Sequence, residues 1–199
     1  KTGVRSIEEA LRNFKKYTPF VDEVKELTVY LLSNIDTKTF PIGEGLPQAL
    51  EQYGCYTREE IFTIFGRQTA EKRMQGSVSG VFNIEERNTE LLFVTLNKSN
   101  KDFSVSTMYD DYVVSERQFH WKSKNTDTHE GRGKRYVEQA INKKKFLLFV
   151  RADKTDGFNN TCPFYCFGLV DYISSRDDKP MSIDWHMHHP ILPQFIKAV

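Results

Sequence analysis

Near residue 75 the hydrophobic pattern changes period, and that change constrains the fold more than any other feature of the chain. Ahead of it, apolar residues recur at helical spacing. "SIEEALRNFKKY" opens with Ser6 and Glu9 three positions apart, a capping-box pattern, and puts Ile7, Leu11 and Phe14 on one face. Pro19 breaks that helix. "VDEVKELTVYLLSN" repeats the spacing at Val21, Val24, Leu27 and Leu31. "GEGLPQALEQYG" predicts a short helix stopped by Gly54, and "TREEIFTIFG" has a second capping box, Thr57 and Glu60, before Gly66. After about Gly76 come "GVFNI", "ELLFVTLN", "RQFHWKS", "KFLLFVRA", "FYCFGLVDYIS" and "MSIDWHMHH", short runs rich in Phe, Val, Ile and Tyr. One helix, "KRYVEQAINKK", interrupts them. The expectation is an α+β chain: residues 1–75 as a helical bracing or connecting segment, and residues 76–199 as a strongly bent, partly closed β-barrel with one inserted helix. Closure would remove exposed strand edges.

The composition suits a globular protein: 199 residues, 39% apolar and 28% charged. An opening "KTGVRS" without Met reads as a fragment of something longer, and no basic-then-apolar leader or apolar run near eighteen residues stands out. No membrane partner is expected. Three cysteines, Cys55, Cys162 and Cys166, are too few for a disulfide framework and point to a reducing, cytoplasmic setting. The net charge of +1 conceals a local bias. From Arg117 to Arg151 ten Lys and Arg stand against three acids, whereas residues 1–66 hold eight against ten. A segregated basic stretch is the footprint a phosphate backbone calls for; a solvated helix and loop is the plainer reading.

No phosphate loop, nucleophile elbow or zinc-protease helix occurs, so an enzyme within these residues is not expected, nor a cofactor. "CPFYC" is a lone C-x3-C that reads as part of a strand, and "DWHMHHP" brings His186 and His188 onto one strand face without a second ligand motif. No metal is expected at either. The alternative enzyme is a metal-dependent nuclease built on Asp184, His186 and His188.

The segment "MYDDYVVSERQFHWKSKN", residues 108–125, is the strongest candidate site. A cytosine taken out of a duplex needs a stack on both faces, an acceptor for its amine, and cations on the flanking phosphates. Tyr109 and Trp121 would supply the stack, Asp110 or Asp111 the acceptor, and Lys122 and Lys124 the cations. A methyl at ring position 5 would be read by apolar contact. The competing reading is a hairpin whose aromatics fill the core.

Longer phrases, "LLFVTLNKSNKDFSVSTMYDDYVVSERQFHWKSKN", "KKFLLFVRAD", "FGLVDYIS" and "KPMSIDWHM", resemble the C-terminal domain of unknown function attached to superfamily II helicases. Some of those proteins carry a phospholipase-D-type nuclease and resemble methylation-dependent, type IV restriction enzymes. Within this, Tyr-x-Asp followed by a polar turn and Phe-x-aromatic is similar to the modified-cytosine pocket of the SRA family, a bent SRA/PUA-like β-barrel. That resemblance implies Tyr109 and Trp121 as the sandwich and Asp111, then Asp110, at the base's polar edge, with Phe119 and Ser123 alongside. Lys122, Lys124, Asn125, Arg132, Lys134 and Arg135 would hold the DNA backbone. The chain departs from SRA in having Trp for Tyr, no Gly in "VVSERQ", and "KSKN" where a Thr-Gly run is usual. The implied function is a non-catalytic reader of 5-methylcytosine or 5-hydroxymethylcytosine in double-stranded DNA, serving helicase and nuclease domains of the same polypeptide. A module that only contacts the helicase is the alternative.

Overall fold

The computed structural model describes residues 7–33, 39–69, 71–72, 80–98 and 111–196. The chain divides into two compact units between residues 38 and 39. In the first, α1 (Ile7–Phe14) and α2 (Thr18–Ser33) follow the helical spacing. Pro19 lies in the opening turn of α2, where its missing N–H and fixed φ cost nothing, so it begins a helix as well as ending one. Phe14 and Phe20 meet edge to face, with ring centroids 5.2 Å apart.

The second unit is built on an eight-stranded sheet. Its strands are β3 (Cys55–Tyr56), β4 (Val81–Ile84), β5 (Thr89–Thr95), β6 (Tyr112–Ser115), β7 (Gln118–Lys122), β8 (Lys145–Arg151), β9 (Phe164–Arg176) and β10 (Ser182–Met187). The order is β4-β5-β8-β9-β10-β7-β6, with β3 pairing the start of β9. β5 and β8 run parallel; the other pairings are antiparallel. A small pair, β1 (Phe40–Pro41) and β2 (Glu51–Gln52), stands apart.

Both faces of β5 and β8 are covered, which explains their near-continuous apolar runs. Leu91, Phe93, Leu147 and Phe149 point into one core with Leu50, Ile61, Phe62 and Phe65. Leu92, Val94, Phe146, Leu148 and Val150 point into the other, with Phe119, Trp121, Tyr136 and Trp185. That second core joins residues of β5 to residues of β6 and β7, so the sheet bends around it. Among the described residues the hydrogen-bonded order ends at β4 on one side and β6 on the other, so the sheet is not closed into a barrel.

Residues 39–69, expected among the bracing helices, belong with the sheet. α3 (Arg58–Ile64) forms as its capping box requires, with Thr57 and Glu60 each satisfying the other's backbone N–H. The expected helix over 43–54 does not form. Gly45 and Tyr53 adopt left-handed φ values of 76° and 63°, and the backbone is claimed by β9 instead. The Tyr53 N–H donates to Cys166 O, and Gln52 Nε2 donates to Phe167 O at 2.7 Å. Gly168 makes this approach possible: its φ is +82°, and a Cβ there would sit 1.9 Å from Gln52 Oε1. The expected helix over 134–144 is broken into α4 (Lys134–Val137) and α5 (Gln139–Asn142), which ends at left-handed Lys143. A last turn, α6 (Pro193–Ile196), closes the described chain. Among the described residues no helix is long and apolar enough to cross a membrane.

Candidate functional site

Segment 108–125 becomes a hairpin: β6 and β7 joined at Glu116 and Arg117, with an irregularity between Val113 and Ser115. Tyr109 and Asp110 lie outside the described residues. Period-two alternation along β7 sends Phe119 and Trp121 to the core and His120 to the opposite face.

Trp121 is 4% exposed, with its ring edge-on to Tyr136 at 5.4 Å and tilted against Trp185 at 6.3 Å. As placed, it offers no open face for a base. Phe119 is fully buried beside it. Ser123 is also buried, and its Oγ accepts the Met181 N–H at 3.0 Å, tying the end of β7 to the start of β10. All three side chains are therefore buried among neighbours of the second core.

Asp111 is different. It stands just before β6, 8% exposed. Its Oδ2 is 2.5 Å from Lys98 Nζ, and its Oδ1 accepts the Lys122 N–H at 2.8 Å. Burial pushes its carboxyl above the ordinary value, against the pull of Lys98 and of that N–H. Two acceptor directions are used, and a carboxylate has about four.

The cations separate into two kinds. Arg135 is drawn inward: its Nε lies 2.7 Å from buried Glu90 Oε1, and its guanidinium sits 4.5 Å over the Tyr136 ring. Lys144 joins the same Glu90 at 3.3 Å. Burial lowers Lys124, and Arg132 and Arg135 add to this while Asp127 opposes it. Asn125 is exposed. Arg132 and Lys134 project outward, each 60% exposed at the side chain. Arg132 also reaches back to Thr126 and to buried Asp127 at 3.5 Å, and Lys134 pairs with Glu138 at 3.4 Å. Lys122, Lys124, Arg132 and Lys134 share one end of the sheet with Asp111, because Lys122 ends β7 where Tyr112 begins β6.

A family model for a domain of unknown function (DUF3427) matches residues 50–198, about three quarters of the chain. The chain belongs to that family. No curated protein matches it. The DUF3427 match takes in every strand of the large sheet and every residue of the candidate interface.

Two arrangements within DUF3427 were missed in the sequence. On the outer face of β7, His120 Nδ1 lies 2.7 Å from Asp184 Oδ1, and the ring stacks on Tyr112 at 4.7 Å. Asp184 also accepts from Ser174 Oγ at 3.3 Å. His188 turns elsewhere, with its Nε2 2.8 Å from Asp171 Oδ2. The Asp184, His186 and His188 set therefore does not assemble, and among the described residues no group of three His, Cys, Asp or Glu could hold a metal ion. The second arrangement brings Arg58 and Arg151 against one aromatic ring. The alternation that places His120 opposite Phe119 was readable; the partners from β10 and α3 were not.

Proposed function

We propose that this domain is a DNA-contacting module that reads modified cytosine for helicase and nuclease domains of the same polypeptide, as in the type IV restriction proteins its phrases resemble. One observation carries the reading: the Asp111 carboxylate is joined to the Lys122 N–H, so an acceptor and the Lys122, Lys124, Arg132 and Lys134 cations occupy one end of the sheet. Cations at that end would hold the backbone without reading sequence, and Asp111, buried against Lys98, would turn its remaining acceptor capacity to a base edge on release of that pair. The bent sheet would serve as the partly closed SRA-like scaffold does. Trp121 would brace the site from the core, and the stacking surfaces would come from elsewhere.

The test is binding of the protein to one short duplex, with and without 5-methylcytosine, across a salt series. The reading expects tighter binding to the modified duplex, and a joint Arg132→Ala and Lys134→Ala variant with a log K against log salt slope shallower by about 1–2. Equal affinity for both duplexes would reduce the function to a backbone grip. No binding to either would end the DNA reading. The burial of Trp121 favours a second reading in that event, a module that packs against the motor and does not touch bases.

A further inference from the structure

The loop after β7 and the turn between β9 and β10 are fastened to each other. The Lys179 N–H donates to Asp127 O at 3.1 Å, and the His129 N–H donates to Asp178 Oδ1 at 2.8 Å. Between these segments the His129 ring has a partner at each nitrogen. Its Nδ1 lies 3.0 Å from the same Asp178 oxygen, and its Nε2 lies 2.7 Å from Ser175 Oγ, near the end of β9. Ser175 Oγ is in turn 2.7 Å from the Tyr172 hydroxyl. The hydrogens along this chain can be assigned. Bonds from His129, its backbone N–H first and its ring next, hold the Asp178 carboxyl below the ordinary value, so near neutrality it is ionised and only accepts. In the neutral imidazole Nδ1 then carries the hydrogen, Nε2 accepts the Ser175 O–H, and Ser175 Oγ is left to accept from Tyr172.

We propose that Ser175 is an acyl-accepting nucleophile for small carboxylic esters, with His129 as its base and Asp178 as a positioning residue. A serine hydroxyl attacks well only when a base takes its proton, and the His129 contacts to Ser175 and Asp178 both fall within the reach of about 2.6–3.2 Å that such a relay needs. These sites are recognised by geometry and role, so the missing nucleophile elbow and the order His, Ser, Asp along the chain do not count against this one. Ser175 Oγ bonds to the ester carbonyl carbon and its proton passes to His129 Nε2, while Asp178 faces the imidazolium that results. Negative charge gathers on the carbonyl oxygen, and the Tyr172 O–H, already beside the attacking oxygen, donates to it. The C–O bond to the alcohol breaks, the alcohol leaves with the proton from Nε2, and water then releases the acid by the same relay. Solvent reaches these groups: the His129 side chain is 37% exposed and that of Asp178 49%. Tyr172 also stands with Val137, Gln139, Ala140, Lys143 and Asp171 among the described walls of a cavity of about 500 Å³. Small-molecule sites span about 300–1,000 Å³, so there is room beside Tyr172 for the acyl group. Nothing in this site draws on Asp111 or the cations around it, and it stands apart from the DNA reading.

Reactivity separates a nucleophile from an inert hydrogen-bonded brace made of the same contacts. The full chain is treated with a fluorophosphonate, which bonds to a serine Oγ as fluoride leaves, and in parallel with p-nitrophenyl acetate. The expected result is one label per chain on the peptide that carries Ser175, placed by fragmentation of the labelled parent itself. It should vanish in Ser175→Ala and persist in Ser174→Ala, since Ser174 Oγ donates to Asp184 instead. Ester hydrolysis should fall about tenfold or more in Ser175→Ala, where His129 remains, and by a similar factor in Asp178→Asn through kcat with KM unchanged. Asp178→Glu, which keeps the carboxylate, should recover part of that loss. Tyr172→Phe should also lower kcat. An unlabelled parent, a label on another residue, or hydrolysis equal in the parent and Ser175→Ala would overturn the assignment. Binding of Ser175→Ala to the modified duplex is read separately, and its retention would leave the DNA reading standing either way.

Discussion

Replacing Trp121 by Ala separates a core residue from a base-stacking one. The indole is 4% exposed and touches Tyr136 and Trp185. A buried aromatic hides about 150–250 Å². At about 25 cal/mol per Å² the whole side chain contributes about 4–6 kcal/mol; allowing for the alanine methyl and partial collapse leaves a loss of about 3–5 kcal/mol. The unit runs from residue 39 to residue 199, and for that size each kcal/mol lowers Tm by about 2–4 °C. Trp121→Ala should therefore melt roughly 6–20 °C below the parent. Circular dichroism during heating and urea titration give two independent values. Trp185, fully buried, is then the one remaining tryptophan, and its emission should stay blue until unfolding. A loss under about 1 kcal/mol with a large drop in DNA affinity would refute the packing argument and return Trp121 to the base-binding site.

Other outcomes follow from the same contacts. Lys98→Met should cost about 3 kcal/mol at neutral pH, because it leaves the Asp111 carboxylate buried without its cation. Burial already raises the folded-state Asp111 pKa, so its stabilising contribution is fully present below the unfolded value, about 3.9, and is lost as pH rises through the folded one. The cost of Lys98→Met should accordingly shrink as pH falls, read by urea midpoints at several pH values; a deficit constant with pH would contradict it. Gly168→Ala should destabilise by more than about 1 kcal/mol, since φ is +82° and the new methyl meets Gln52 Oε1; an unchanged urea midpoint would show that Gln52 can move away. Burial pushes the Cys166 thiol up to about 12, so iodoacetamide at pH 8 should modify exposed Cys55 and leave Cys166 until the protein unfolds, as peptide mapping would show.

Local signals read correctly where local forces decide. The Thr57 and Glu60 capping box predicts α3, and the runs in 90–97 and 145–152 predict β5 and β8. Segment 43–54 reads as a helix because its apolar spacing says nothing of β9, whose carbonyls at Cys166 and Phe167 accept from the Tyr53 backbone N–H and the Gln52 side-chain amide. Trp121 illustrates the limit for the site. Its type suits stacking and packing equally, and only the cross-strand partner Ile183, with Tyr136 and Trp185 around it, decides. The residues alone left Asp110 and Asp111 level, and only the SRA resemblance put Asp111 first; its pairing with Lys98, thirteen positions earlier, was not legible. Arg58 and Arg151 lie ninety-three positions apart, and no spacing rule connects them.

The parallel pairing of β5 with β8 has a consequence in time. Thr89 meets Lys145 fifty-six positions later, and the whole β6–β7 hairpin with α4 and α5 lies in the intervening chain. Closing such a span costs roughly 3–4 kcal/mol in chain entropy before any contact repays it. The β6–β7 and β9–β10 hairpins need no such closure and can form early. Thr95 gains its hold on Arg151 only when the long span closes, so the arrangement of Arg58 and Arg151 at the Phe164 ring is completed late.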